Sequence, residues 1–72
     1  MKVFINADYY YHILINSNSE RFDRKEPVEW GTICFELDEE MGLELIGEDT
    51  NEYSFHVTDE KKWMLAKIKW GL

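Results

Sequence analysis

The sequence predicts an α+β fold: a small antiparallel β-meander of about four to five strands with a C-terminal helix, the alternative being an all-β sheet or small barrel. Three observations predict it. Residues 32–57 contain apolar runs that alternate with polar residues and are separated by polar connections. Residues 58–72 carry helix punctuation at both ends. The chain has 72 residues, one domain (1–72) with a thin core, since about 60% of the unfolded surface is buried at that size. Composition offsets the thinness: 44% of residues are hydrophobic and 15% aromatic, and aromatic side chains each bury a large area. Disordered acidic sequences lack that content.

Residues 2–6 and 9–16 are rich in Val, Ile, Phe and Tyr and read as strands, joined by a tight turn at Ala7-Asp8. Asp8 is also a helix-capping residue, so a helix over 9–16 is the alternative. Residues 16–27 hold Ser, Asn, charges and the only proline, and read as a long loop or a single helical turn. In residues 32–37, Ile33, Phe35 and Leu37 fall on one side of a strand, with Thr32, Cys34 and Glu36 on the other. Loops at 38–42 and 47–51 then align two apolar rows across strands 43–46 and 52–57. One row is Phe35 with Leu45 and Tyr53; the other is Leu37 with Leu43 and Phe55. Burial of one face sets such a register. It also places Glu36 opposite Glu44 on the outer face, a like-charge pair that costs up to ~1 kcal/mol, and Asp38 and Glu40 extend the acidic line.

In residues 58–72, Thr58 is the expected N-cap. Asp59 and Glu60 fill the first turn, Lys67 and Lys69 the last, and Gly71 follows. Met64, Ala66, Ile68 and Trp70 also alternate as in a strand, but the caps favour helix. That helix has two opposed apolar arcs: Met64, Leu65 and Ile68 on one, Trp63, Ala66 and Trp70 on the other. One arc packs on the sheet and the other is offered elsewhere.

The net charge of −7 is segregated. Residues 1–25 sum to +1, residues 26–60 hold twelve acids and no Lys or Arg, and residues 61–72 sum to +4. The acids alternate with core-type residues, so the charge sits on folded structure. It repels nucleic acid and anionic membranes and attracts proteins with basic surfaces. The bland reading is a solvated face that aids solubility. A single cysteine, Cys34, leaves no intramolecular disulfide and fits a reducing compartment. The apolar run in residues 1–8 is short for a signal peptide, and no stretch approaches the ~20 apolar residues of a membrane span. The cytosol is the expected location, and the host cytosol if the gene is a phage's.

Chemistry-bearing motifs are few. His12, His56 and Cys34 are the only soft metal ligands, and none stand at i, i+3 or i+4 spacing, so no metal is expected. Cys34 lacks an assigned base, and fifteen acids make some close carboxylate pair inevitable. Asp49-Thr50-Asn51-Glu52 resembles part of a calcium loop but lacks its glycine and terminal glutamate. No cofactor and no enzymatic activity are expected. The run Tyr9-Tyr10-Tyr11 reads first as half-buried strand packing, and otherwise as a contact surface.

In length, acidity and charge the chain resembles small phage-encoded inhibitors, such as anti-restriction and anti-CRISPR proteins. The resemblance implies an inhibitor that occupies the basic nucleic-acid site of a target protein by charge mimicry. On a strand, Glu36, Asp38 and Glu40 would repeat at about 6.6 Å, close to alternate phosphates of DNA at ~3.4 Å each. The residues expected to touch the partner are Glu36, Asp38, Glu39, Glu40, Glu44, Glu48, Asp49 and Glu52, with Tyr10, Trp63 and Trp70 as aromatic anchors. The alternatives are an immunity or antitoxin-like protein that neutralises a toxin, and a homodimeric interaction module.

Binding to nucleic acid requires phosphate neutralisation by Lys and Arg. The isolated protein should therefore give no gel shift with DNA or RNA at low-micromolar concentration and physiological salt. A shift under those conditions would refute this reading of the charge.

Overall fold

In the computed structural model, which describes all 72 residues, the chain opens with strand β1 (Lys2–Asn6) and turns directly into helix α1 (Ala7–Ser17). Asn6 makes the abrupt change. Its side-chain oxygen accepts the N–H groups of Asp8 and Tyr9 at 2.9 and 3.1 Å, capping the helix from the last strand residue. Residues 9–16 are therefore helix, the alternative to the expected strand. Tyr10, Ile13 and Leu14, at i, i+3 and i+4, supply its buried stripe, and β propensity gives way to that burial. Asn18 ends α1, its side-chain amide donating to the Leu14 carbonyl at 2.9 Å. A short helix α2 (Ser19–Asp23) and an extended stretch containing Pro27 lead to helix α3 (Trp30–Glu40).

Helix α3 overturns the expected strand at 32–37. Ile33 and Leu37 are four apart and satisfy a period of two and of 3.6 alike. Glu39 decides: a strand that buries Ile33, Leu37 and Met41 would also bury Phe35 and Glu39, whereas a helix buries the three and turns both out, with Phe35 67% exposed. Neither expected row exists, since Phe35 and Leu37 lie on a helix, and the opposition of Glu36 to Glu44 goes with them.

Strands β2 (Leu43–Glu48) and β3 (Glu52–Val57) form the expected antiparallel hairpin. The register lies two residues from the expected one: Leu43 pairs with Val57 and Leu45 with Phe55. A shift of two preserves which side chains face inward. The strands run closer to the turn than expected, leaving 49–51 as the loop, where the Asp49 N–H donates to the Glu52 carbonyl at 2.8 Å. A bulge between Leu45 and Gly47 absorbs the odd residue. β1 pairs antiparallel with the other side of β3, so the sheet has three strands, not four or five, in the order β1-β3-β2. The fold is α+β. Phe55, at its centre, is fully buried.

Helix α4 (Glu60–Trp70) forms where expected, but Asp59, not Thr58, is its cap, accepting the Lys62 N–H at 3.1 Å. Gly71 ends it in the left-handed conformation. Trp63 and Ala66 are buried, and the Tyr9 hydroxyl donates to the Trp70 carbonyl, tying α4 to α1.

Gly42, at φ +71°, joins α3 to β2. A Cβ there would lie 2.4 Å from the Asp59 carbonyl oxygen. Gly42→Ala should lower the melting temperature by at least about 5 °C, because the left-handed conformation alone costs ~1 kcal/mol before any overlap. Gly31 lies in α3 with open space around its Cβ position, the nearest atom being Glu29 Oε1 at 3.9 Å. Gly31→Ala should raise the melting temperature, since Ala is favoured in helices by about 1 kcal/mol. Thermal melts followed by circular dichroism check both. An unchanged melting temperature in G42A would remove the constraint assigned to this turn.

Candidate functional site

The structure divides the expected acidic surface into parts with different surroundings. On the side of α3 facing α2 and α4, Glu36 meets the Arg21 guanidinium at 3.2 Å and Glu40 meets Lys69 at 3.6 Å. Glu26 pairs with Arg24 at 3.0 Å. The acids of residues 26–60 thus borrow cations from both ends of the chain, though exposed pairs of this kind contribute only ~0–1 kcal/mol each. Glu39 and Glu44 are exposed without an ion-pair partner, as are Glu48, Asp49 and Glu52 around the hairpin turn.

Three expected contact residues are not surface residues. Asp38 is 9% exposed and accepts the Tyr10 hydroxyl at 2.7 Å. Tyr10 is itself buried, between Asp38 and the rings of Tyr53 and Phe55. Trp63 is part of the core. The buried stripe of α1, the helical placement of residues 30–40 and the inward arc of α4 account for Tyr10, Asp38 and Trp63 in turn. Trp70 is half-buried beneath the Lys69 ammonium. Tyr11 stacks on Trp30 at the surface.

Between α3 and β2 runs an open groove of about 640 Å³. Gly31, Cys34, Phe35, Asp38 and Glu39 line it from α3, and Leu43, Glu44 and Leu45 from β2. Packing explains it. Leu45 pairs with the fully buried Phe55 and so faces inward, yet α3 does not reach over it and it remains 46% exposed. Gly31 adds no side chain to close the gap. A smaller hollow of about 140 Å³ shares Cys34, Asp38 and Leu45 and continues the groove towards Glu48. The lining contains acids and no Lys, Arg or His.

Burial sets the proton chemistry at the groove floor. It raises the Asp38 carboxyl to about 6, against the opposing pull of the Tyr10 hydrogen bond. The Tyr10 phenol is pushed far above its usual range by burial, then by its hydrogen bond to Asp38 and that residue's charge. Burial also raises the Cys34 thiol, and the Asp38 charge adds to the shift while Tyr10 opposes it. A raised thiol is protonated at neutral pH and a poor nucleophile. His12 is exposed on α1 and His56 on the outer face of the sheet. No group of three or more His, Cys, Asp or Glu is placed to hold a metal ion. No helix is long and apolar enough to cross a membrane.

The groove residues Phe35, Leu45, Cys34 and Gly31 escaped sequence reasoning. The charge at Glu39 was the available signal, because it breaks the strand alternation of Ile33, Phe35, Leu37 and Met41, and a helix on Ile33, Leu37 and Met41 turns Phe35 and Glu39 outward. The two arcs of α4 were legible: Met64, Leu65 and Ile68 are exposed, opposite Trp63 and Ala66.

Asp38 generates a pH prediction. Its folded-state value, near 6, exceeds the ~3.9 of an unfolded aspartate. The folded state therefore holds the proton more tightly. This contribution to stability is full below about pH 4 and is lost as pH rises through about 6. Asp38→Asn keeps an acceptor for Tyr10 and has no charge to bury. The wild type should lose melting temperature between about pH 5 and pH 7.5, and the variant should lose less. Identical pH profiles would contradict the assignment.

Comparison with protein-family models, curated proteins and solved structures finds no match for this chain.

Proposed function

We propose that this domain works by binding a protein with a basic surface, as a stoichiometric inhibitor of a nucleic-acid-handling protein rather than as an enzyme. The observation that carries the reading is the α3–β2 groove. Its apolar walls, Phe35 and Leu45, are exposed, its acids include Asp38, Glu39 and Glu44, and no cation lines it. A concave apolar surface with a few convergent polar groups is the usual form of a binding site. A partner cation at Glu39 or Glu44 would gain charge-assisted hydrogen bonds and relieve repulsion among the acids. Phosphate mimicry at strand spacing is not part of the proposal, because Asp38 points inward and Glu36 and Glu40 pair with the domain's own cations.

The test uses the intact domain to capture its partner from cell lysate, then measures that partner directly. Replacing Glu39, Glu44 and Glu48 together by Gln should weaken binding at least about tenfold at low salt and flatten the salt dependence. Wild-type domain should displace nucleic acid from the captured protein. Affinity unchanged in the triple variant, or a partner that keeps its nucleic acid, would overturn the proposal.

A further inference from the structure

We infer that the basic partner is held through an extended segment of alternating cationic and apolar residues, paired with the free edge of β2 inside the α3–β2 groove. The inference rests on the proposed acidic binding surface and names how it is used. Leu43, Glu44 and Leu45 are consecutive, and all three line the groove. Successive side chains of a strand point to opposite faces, so a hollow that touches all three lies along the strand's edge. That edge is open: β2 pairs only with β3, and no main-chain hydrogen bond outside the helices and the ladder involves residues 43–48. A strand edge beside a helix offers main-chain hydrogen bonds for affinity and a side-chain slot for specificity. Here the slot lies between Phe35 and Leu45, both exposed.

Charge selects the occupant. Antiparallel pairing of β2 with a second copy about Glu44, the centre of its regular edge, would set Glu44 opposite Glu44 of that copy, and like charges directly opposed are destabilising. A segment with Lys or Arg at that position converts the opposition into attraction. The bulge between Leu45 and Gly47 interrupts the edge, so the regular pairing is confined to residues 43–45. The segment is therefore short: one apolar side chain enters the slot, and its flanking cations project to the opposite face beside Glu44.

Fluorescence anisotropy with the full chain and a labelled Lys-Val heptapeptide of strict alternation tests this at physiological salt. Two controls accompany it: the same peptide with N-methylated valines, which cannot donate main-chain hydrogen bonds, and one with Ser for Val at equal charge. The alternating peptide should bind at least about tenfold tighter than either control. Phe35→Ser and Leu45→Ser, at exposed positions and checked for folding by circular dichroism, should each remove most of that advantage. The amides of Leu43 and Leu45, which point away from β3, should gain protection from hydrogen exchange, and that of Glu44 should not. Equal binding of the N-methylated peptide would overturn the strand inference and leave the acidic-surface reading standing. A concentration-dependent dimer abolished by Leu45→Ser would assign the edge to a second copy and also overturn it. Absence of binding by every cationic peptide, with the captured partner indifferent to the Glu39, Glu44 and Glu48 replacement, would remove both.

Discussion

The carbonyl oxygen of Gly42 accepts the N–H groups of Thr58 and Asp59 at 2.8 and 3.2 Å. Two chain reversals meet at this one oxygen. Gly42 turns α3 into β2, and Thr58 and Asp59 turn β3 into α4. The left-handed backbone at Gly42 turns its carbonyl towards the second reversal, and the missing Cβ lets Asp59 approach. A side chain would force the turns apart, and with them the angle between α3 and the sheet. The capping of α4 begins at the same place, because Asp59 both approaches Gly42 and caps the helix through Lys62. Local backbone geometry at one residue thus fixes how two helices leave the sheet.

The hydrogen bond from Tyr10 to Asp38 sets the other side of the groove. It joins α1 to α3 across the core, and no buried side-chain polar atom in the structure lacks a partner. Losing such a partner leaves a buried group unsatisfied at about 1–3 kcal/mol, which is a large fraction of the stability of a small domain. Tyr10, Asp38 and Leu45 line the same hollow, so the polar pair stands where the groove continues inward.

Much of this was legible in the sequence, and the rest turned on ambiguous periods, a cap from a neighbouring element and contacts made only on packing. The β2–β3 hairpin, the inward parity of Leu43, Leu45 and Phe55, and the opposed arcs of α4 were read from local patterns. Residues 32–37 read as strand because Ile33 and Leu37 fit both periods, and a charge at Glu39, on the strand parity, is what distinguishes them. Residues 9–16 follow the helical alternative to the expected strand, with the cap at Asn6, at the end of the preceding strand, and not at Asp8. For the candidate site, the acidity of Glu39, Glu44 and Glu48 was legible but its partition was not. Arg21 reaches Glu36 and Lys69 reaches Glu40 only after the helices have packed. The inward turn of Asp38 likewise depends on tertiary contact with Tyr10, which lies 28 positions away. Charge counts do not show which side of a helix each charge takes.

That partition bears on what the acids are for. The cations that the domain supplies to α3 lie on one side of the helix, at Glu36 and Glu40, and none reaches the groove side. A face shaped only for solvation would carry Glu39 and Glu44 without Phe35 and Leu45 between them. A face shaped only for packing would carry the apolar pair without the acids. Single exposed apolar residues are ordinary, but here two flank one concave surface beside an open strand edge. Edge strands are commonly guarded by charge against pairing with copies of themselves, and Glu44 stands in the middle of the regular edge of β2. On the proposed reading, the glutamate that opposes a second β2 favours a strand bearing Lys or Arg. Exclusion of self and attraction of a basic segment would then come from one side chain, and neither requires the domain to change shape.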